Sequence, residues 1–318
     1  MANRRDFLAT LSLAAIGGAL SSSPALASVK RLLFVHGRSQ QGRVPAEIKS
    51  EWLGALKKGA EANGKTLPDG IDVALPFFGD TLDGFAQQLE VPLTSDIHNK
   101  GSEPVDEFLL FQAQVAEEIR QKAGVTDAQI NTEYGPNPKQ KGPLNWEWVQ
   151  AIISAIDKHG GGISQDVLEF IMRDVFLYTA RSGVRDEIDR IVSAALTEEP
   201  TIVVAHSLGS VVAYNILRSD TRSLKIPLFL TIGCPLGIRA ISKQLRPLRY
   251  PKPAEAWYNA FDTRDVVALY PLDQQNFPVT PEIENYAEVK NSTENRHGII
   301  GYLDDKSVAE KILGGLGV

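Results

Sequence analysis

Two hydrophobic periods alternate along this chain. Short β-branched or apolar runs at 29–35, 71–76, 201–204, 226–232 and 257–261 read as buried strands, with 286–289 as a short last one. Between them the apolar spacing widens to that of helices. Ile48, Trp52, Leu53 and Leu56 share one face of a helix over 47–62, which Asn63-Gly64 ends. Val184, Ile188, Ile191 and Val192 do the same over 183–196, an apolar run at 211–217 suits a third helix, and a closing helix spans 307–313. Strand and helix taking turns predict an α/β protein with a mostly parallel central sheet and helices on both faces.

The segment 80–180 breaks that rhythm. It is too long for a loop inside a compact domain and carries helical patterns of its own. Val105, Phe108, Leu109, Val115 and Ile119 suit one helix. Trp146, Val149, Ile152, Ile153 and Ile156 suit a second, and Val167, Leu168, Phe170, Ile171, Val175, Phe176 and Tyr178 a third. Between the first two, 134–143 has the Gly, Pro and Lys content of a linker. We read 80–180 as a helical cap inserted into a core made of 28–79 and 181–318. Its apolar residues are expected to form mostly the cap's own core, with Trp146, Trp148 and Phe170 as candidates to line a pocket.

The first 27 residues read as an address. Arg4-Arg5-Asp6-Phe7-Leu8 precedes an apolar stretch at 11–20, and Ala25-Leu26-Ala27 supplies a cleavage site. The paired arginines followed by Phe-Leu resemble a twin-arginine export signal, which implies the twin-arginine translocase as a transient partner and a periplasmic or secreted protein. The apolar stretch is short and holds Gly17-Gly18, so no stable membrane span is expected.

Composition narrows the function. The 318 residues carry a net charge of −6 with no long Lys/Arg block, which argues against a nucleic-acid partner. A single cysteine, Cys234, excludes an intrachain disulfide and reads as a small buried residue rather than a nucleophile. Five histidines without metal-ligand spacing predict no metal site, and no cofactor motif is present.

The candidate chemistry sits at two strand ends. The run 201–204 leads into Ala205-His206-Ser207-Leu208-Gly209 and then a helix, the context of a nucleophile elbow with Ala in place of the first Gly. The first strand runs into His36-Gly37-Arg38, where Gly37 is expected to permit a sharp turn and His36 to pack beneath the loop. These two motifs, with Gly233-Cys234-Pro235-Leu236-Gly237, Asp265 and His297, resemble the α/β-hydrolase superfamily of the serine esterase and lipase type. The Ala-His-Ser-x-Gly variant is similar to that of some bacterial lipases.

The resemblance implies the α/β-hydrolase fold and a triad in the chain order Ser, acid, His. Ser207 is followed by one histidine only, His297, in a polar loop before the last helix. The acid is Asp265 or Asp262; we prefer Asp265, because Asp262 suits a turn and Val266-Val267 can bury the Asp265 carboxylate. The Arg38 and Leu208 N–H groups would form the oxyanion hole. The implied activity is hydrolysis of a small-molecule or lipid-like ester without a cofactor. An amidase, peptidase or other acyl transferase with the same triad, and a non-catalytic binder on this fold, are the alternatives.

Overall fold

The computed structural model describes residues 29–38, 40–93, 106–136 and 139–318. The expected export leader, residues 1–27, and His98 lie outside them. One sheet holds β1 (Arg31–Val35), β2 (Asp72–Ala74), β3 (Thr201–His206), β4 (Phe229–Ile232), β5 (Trp257–Ala260) and β6 (Glu284–Tyr286). The strands lie in the order β2-β1-β3-β4-β5-β6, and each neighbouring pair is parallel. The chain steps from β1 outward to β2 and then crosses back to β3, so the strand order reverses between β1 and β3. In open parallel sheets the crevice at such a reversal, at the carboxyl ends of the strands, is where sites form.

Among the described residues, the helices before β3 are α1 (Pro45–Glu61), α2 (Gly79–Gln88), α3 (Asp106–Lys122), α4 (Asp127–Tyr134), α5 (Trp146–His159), α6 (Gln165–Ala180) and α7 (Ser182–Ser193). Those after it are α8 (Leu208–Ser219), the short α9 (Arg239–Ser242) and α10 (Ile300–Leu303), and α11 (Lys306–Leu316). Side chains alternate between the faces of each strand. Leu32, Phe34, Ile202, Val204, Leu230 and Ile232 pack with Trp52 and Leu56 of α1 and with Val308 and Ile312 of α11. Leu33, Val35, Val203, Ala205 and Phe229 face α7, α8 and the helices of the β2-to-β3 insertion. Every residue of β3 is buried, as a central strand covered on both sides should be. Among the described residues no helix is long and apolar enough to cross a membrane.

The structure differs from the sequence reading in several places. The last strand is Glu284–Tyr286 rather than 286–289; it is an edge strand with polar, partly exposed residues, so the apolar pattern points past it. Besides the short α9 and α10, two longer helices went unexpected. α2 carries Gly79 and Gly84 and buries only Gly79, Leu82 and Ala86. α4 ends where the expected linker begins, held by a reciprocal capping box between Thr126 and Gln129 and burying Ile130 and Tyr134. Finally, the insertion's helices pack against one another, as expected, but the core they form is continuous with that of the sheet. Phe108, Ile119, Ile152 and Val175 belong to the same continuous buried cluster as Leu33, Val35, Val203 and Ala205 of the sheet.

Candidate active site

Ser207 occupies the single residue between β3 and α8, with φ 54° and ψ −126°. A positive φ is costly for a serine, and such strain persists only where the surroundings hold it. Two contacts do so. The Ser207 N–H donates to the Ile232 carbonyl at 3.1 Å. The Ser210 hydroxyl donates to the Ala205 carbonyl at 2.9 Å, closing the turn from inside. Gly209 is obligatory, since a Cβ there would lie 2.2 Å from the Val35 carbonyl oxygen. The start of α8 is thus pressed against the end of β1.

Gly37 faces the same junction. A Cβ on it would lie 2.9 Å from Ser207 Cβ and 3.0 Å from the His206 carbonyl oxygen. Its φ is not in the left-handed region, so close approach rather than a sharp turn demands glycine here. The loop carrying Arg38 therefore lies against the elbow whose helix starts at Leu208. The Leu208 N–H is among the first N–H groups of α8, which have no partner within the helix. The Arg38 side chain turns toward the insertion: its Nε pairs with Asp174 of α6 at 2.9 Å, and its Cζ sits 3.8 Å from the Phe170 ring centre.

His297 lies in the loop between β6 and α10. Its N–H donates to Asn295 Oδ1 at 3.1 Å, and its carbonyl accepts from His206 Nε2–H at 2.8 Å. The ring is fixed at both nitrogens. Nδ1–H donates to Asp265 Oδ2 at 2.8 Å, and Nε2 accepts from the Ser207 hydroxyl at 2.8 Å. A carboxylate only accepts, so Asp265 assigns the proton to Nδ1 and leaves Nε2 open toward the serine. Ser207, His297 and Asp265 are 2%, 6% and 0% exposed, a site largely withdrawn from water.

The two acids after β5 separate clearly. Asp265 Oδ1 accepts from the Val267 N–H at 3.0 Å, while Oδ2 accepts from His297 and from the Tyr302 hydroxyl at 2.6 Å. Asp262 accepts from the Arg264 N–H at 2.8 Å, from the Arg264 guanidinium, and from the Asn291 N–H at 2.9 Å. Burial would raise the Asp262 carboxyl, but those bonds outweigh it and hold it below the usual carboxylate range. It anchors the turn and does not reach the imidazole. Tyr302 was not singled out in the sequence, because no fixed spacing ties a helical tyrosine to an acid in another loop.

Neither of the other two described histidines near the site is a base. His36 Nδ1–H donates to the Gly37 carbonyl at 2.7 Å and Nε2 accepts from the Phe78 N–H at 3.0 Å, so both nitrogens are spent. Burial lowers its pKa to about 4. His206 is held well below its ordinary value, by burial first and then by the neighbouring His297. Cys234 is buried, and burial pushes its thiol up to about 12, which leaves it inert.

The insertion reaches all three loops. Besides the Arg38–Asp174 pair, the Arg296 guanidinium donates to the Gly161 carbonyl at 3.4 Å, and a Cβ on Gly161 would be 3.4 Å from the Arg264 carbonyl oxygen. Of the three aromatics suggested for a pocket, only Phe170 approaches the site. Trp146 lines an outer hollow with Glu133 and Gln150, and Trp148 packs edge-on against Tyr134 at 5.2 Å. Among the described residues no group of three His, Cys, Asp or Glu is placed to hold a metal ion.

The arrangement can pass the Ser207 proton to Nε2 while Asp265 balances the imidazolium that forms. No family profile, characterised protein or solved structure matches this chain.

Proposed function

We propose that this chain is a serine hydrolase of the α/β-hydrolase type that cleaves carboxylic esters. The observation that carries the reading is the unbroken contact from Ser207 Oγ through His297 to Asp265, 2.8 Å at each step, in the chain order Ser, acid, His. Two further features support it. The serine has the strained backbone of a nucleophile elbow, and it stands where the strand order reverses. In this mechanism Ser207 Oγ attacks the ester carbonyl as its proton moves to His297 Nε2. The imidazolium then returns that proton to the departing alcohol, leaving an acyl group on Ser207. Water, deprotonated by the same nitrogen, releases the acid. The N–H groups of Arg38 and Leu208 receive the oxyanion in both halves. The Arg4-Arg5 leader adds the proposal that the enzyme works outside the cytoplasm.

Turnover of a short nitrophenyl ester and labelling by a fluorophosphonate test the reading. Ser207→Ala should abolish both with the melting temperature unchanged. Asp265→Asn should cost on the order of 10⁴ in kcat, as misassignment of the imidazole tautomer does elsewhere. Asp262→Asn should keep most of its rate in the folded fraction. A fully active Ser207→Ala variant would overturn the assignment.

A further inference from the structure

The site holds a polar group beside the triad acid that the mechanism above does not use. Tyr302, on α10, is wholly buried, and its hydroxyl donates to Asp265 Oδ2 at 2.6 Å, the same oxygen that receives His297 Nδ1–H. The hydroxyl oxygen in turn accepts from the Asp262 N–H at 3.3 Å. The ring has no room to swing away. Its centre is 6.1 Å from that of His206, and a Cβ on Gly233 would come within 3.2 Å of Tyr302 Cε2. Burial, and then the neighbouring Asp265 charge, push the phenol well above its ordinary value. Tyr302 therefore keeps its proton and remains a donor wherever the rate is measurable.

We propose that Tyr302 is a positioning residue of the acid–imidazole pair, aiming the Asp265 carboxylate and setting the pH at which His297 is free to act as base. This rests on the hydrolase reading above. The physical argument concerns charge sharing. Asp265 distributes one negative charge over three donors, Val267 N–H, Tyr302 O–H and His297 Nδ1–H. The Ser207 hydroxyl and the neutral His206 face the imidazole from other elements, and the Asp262 N–H faces the Tyr302 hydroxyl. Nearby Asp262 has its charge engaged by Arg264. A donor on Oδ2 draws carboxylate charge away from the imidazole. Taking it away raises the affinity of the pair for a proton, whichever of the two groups is said to carry it. The neutral imidazole that accepts the serine proton would then persist only at higher pH.

The test is the acid limb of kcat/KM against pH for Tyr302→Phe in the full chain. The limb should move up by about one pH unit, the size expected for loss of one hydrogen bond to a charged group. Tyr214→Phe is the control. That hydroxyl accepts from the Arg249 N–H, away from the triad, and its loss should leave the limb where it was. A merely structural tyrosine would lower stability in both variants and move the limb in neither. Placing 3-fluorotyrosine at 302 alone makes the donor more acidic without changing the packing, and should move the limb the other way; it decides the matter if the Phe variant does not fold. The imidazole C–H shift of His297, followed by NMR in Ser207→Ala, gives the same midpoint without catalysis. If neither substitution at 302 moves the limb or the NMR midpoint, the proposal is wrong. If the NMR midpoint moves but Ser207→Ala still turns over ester, the pair is as described and the hydrolase reading fails instead.

Discussion

His36 sits at the end of β1 with both ring nitrogens committed to backbone groups, one as donor and one as acceptor. A proton added to Nε2 would face the Phe78 N–H, and the charge would be buried. Its pKa is about 4 in the fold against 6.5 for the free side chain. Between those values the unfolded chain binds more protons than the native one. Stability from this group is therefore complete above about pH 6.5 and falls away as the pH drops toward 4, by about 3 kcal/mol in all. His206 is shifted in the same direction and adds to the loss. The urea midpoint should fall as the pH is lowered through that window. In the native protein the His36 ring signal should stay that of the neutral form until about pH 4; a native ring titrating near 6.5 would contradict the assignment. At this scale much of the site was legible. Scarcity made it so, because only His297 follows Ser207. Asp265 and Asp262 remained a matter of preference because they lie three apart in one turn, and only the third dimension shows which one points inward. Tyr302 was invisible because its partner is a side chain in another loop.

Elements were legible where one face is apolar and illegible where contacts are polar. β1, β3, α1 and α8 follow their patterns closely, whereas α2 and α4 bury two or three residues each and left little trace. The Thr126 and Gln129 spacing at the start of α4 was the signal available. Register was wholly hidden. Thr231, Asn259 and Asn285 lie side by side on β4, β5 and β6. The Thr231 hydroxyl donates to Asn259 Oδ1 at 2.9 Å and accepts from Trp257 Nε1–H at 3.0 Å, while Asn259 Nδ2 donates to Asn285 Oδ1 at 2.9 Å. The sequence pattern places Thr231 and Asn259 within buried strands but does not show that they are neighbours. In the sheet they form a row, buried at Thr231 and Asn259 and part-buried at Asn285, that a one-residue slip would break, and it fixes β5, the strand from which Asp265 departs. Thr231→Val and Asn259→Ala should each cost about 1–3 kcal/mol, since each strands a buried partner. The double variant should cost less than the sum, because the bond they share is lost only once. Additive costs in chemical denaturation would mean that the row does not act as a unit.

At the scale of the whole molecule, the question is whether the insertion is a lid on a finished domain or part of that domain. Its apolar side chains are continuous with one face of the sheet, and its Asp174, Phe170 and Gly161 touch the loops that carry Arg38, Arg264 and Arg296. A true lid would leave the face of β1 and β3 already covered when lifted. Here Leu33, Val35, Val203 and Ala205 share their buried cluster with Phe108, Ile152 and Val175, so removing 80–180 would bare a contiguous apolar surface. The chain lacking 80–180 should therefore be insoluble or collapsed without fixed packing, rather than a smaller native domain. The intact chain from residue 28 should unfold in one transition, with fluorescence of the insertion tryptophans Trp146 and Trp148 changing at the same urea concentration as the far-ultraviolet circular dichroism. Two separate midpoints, or a soluble and cooperatively folded deletion variant, would show the sheet to be complete without the insertion. A single midpoint would have a consequence for the chemistry: substrate would have to reach Ser207 by local opening around α6, because the insertion as a whole could not lift away without unfolding the sheet beneath it.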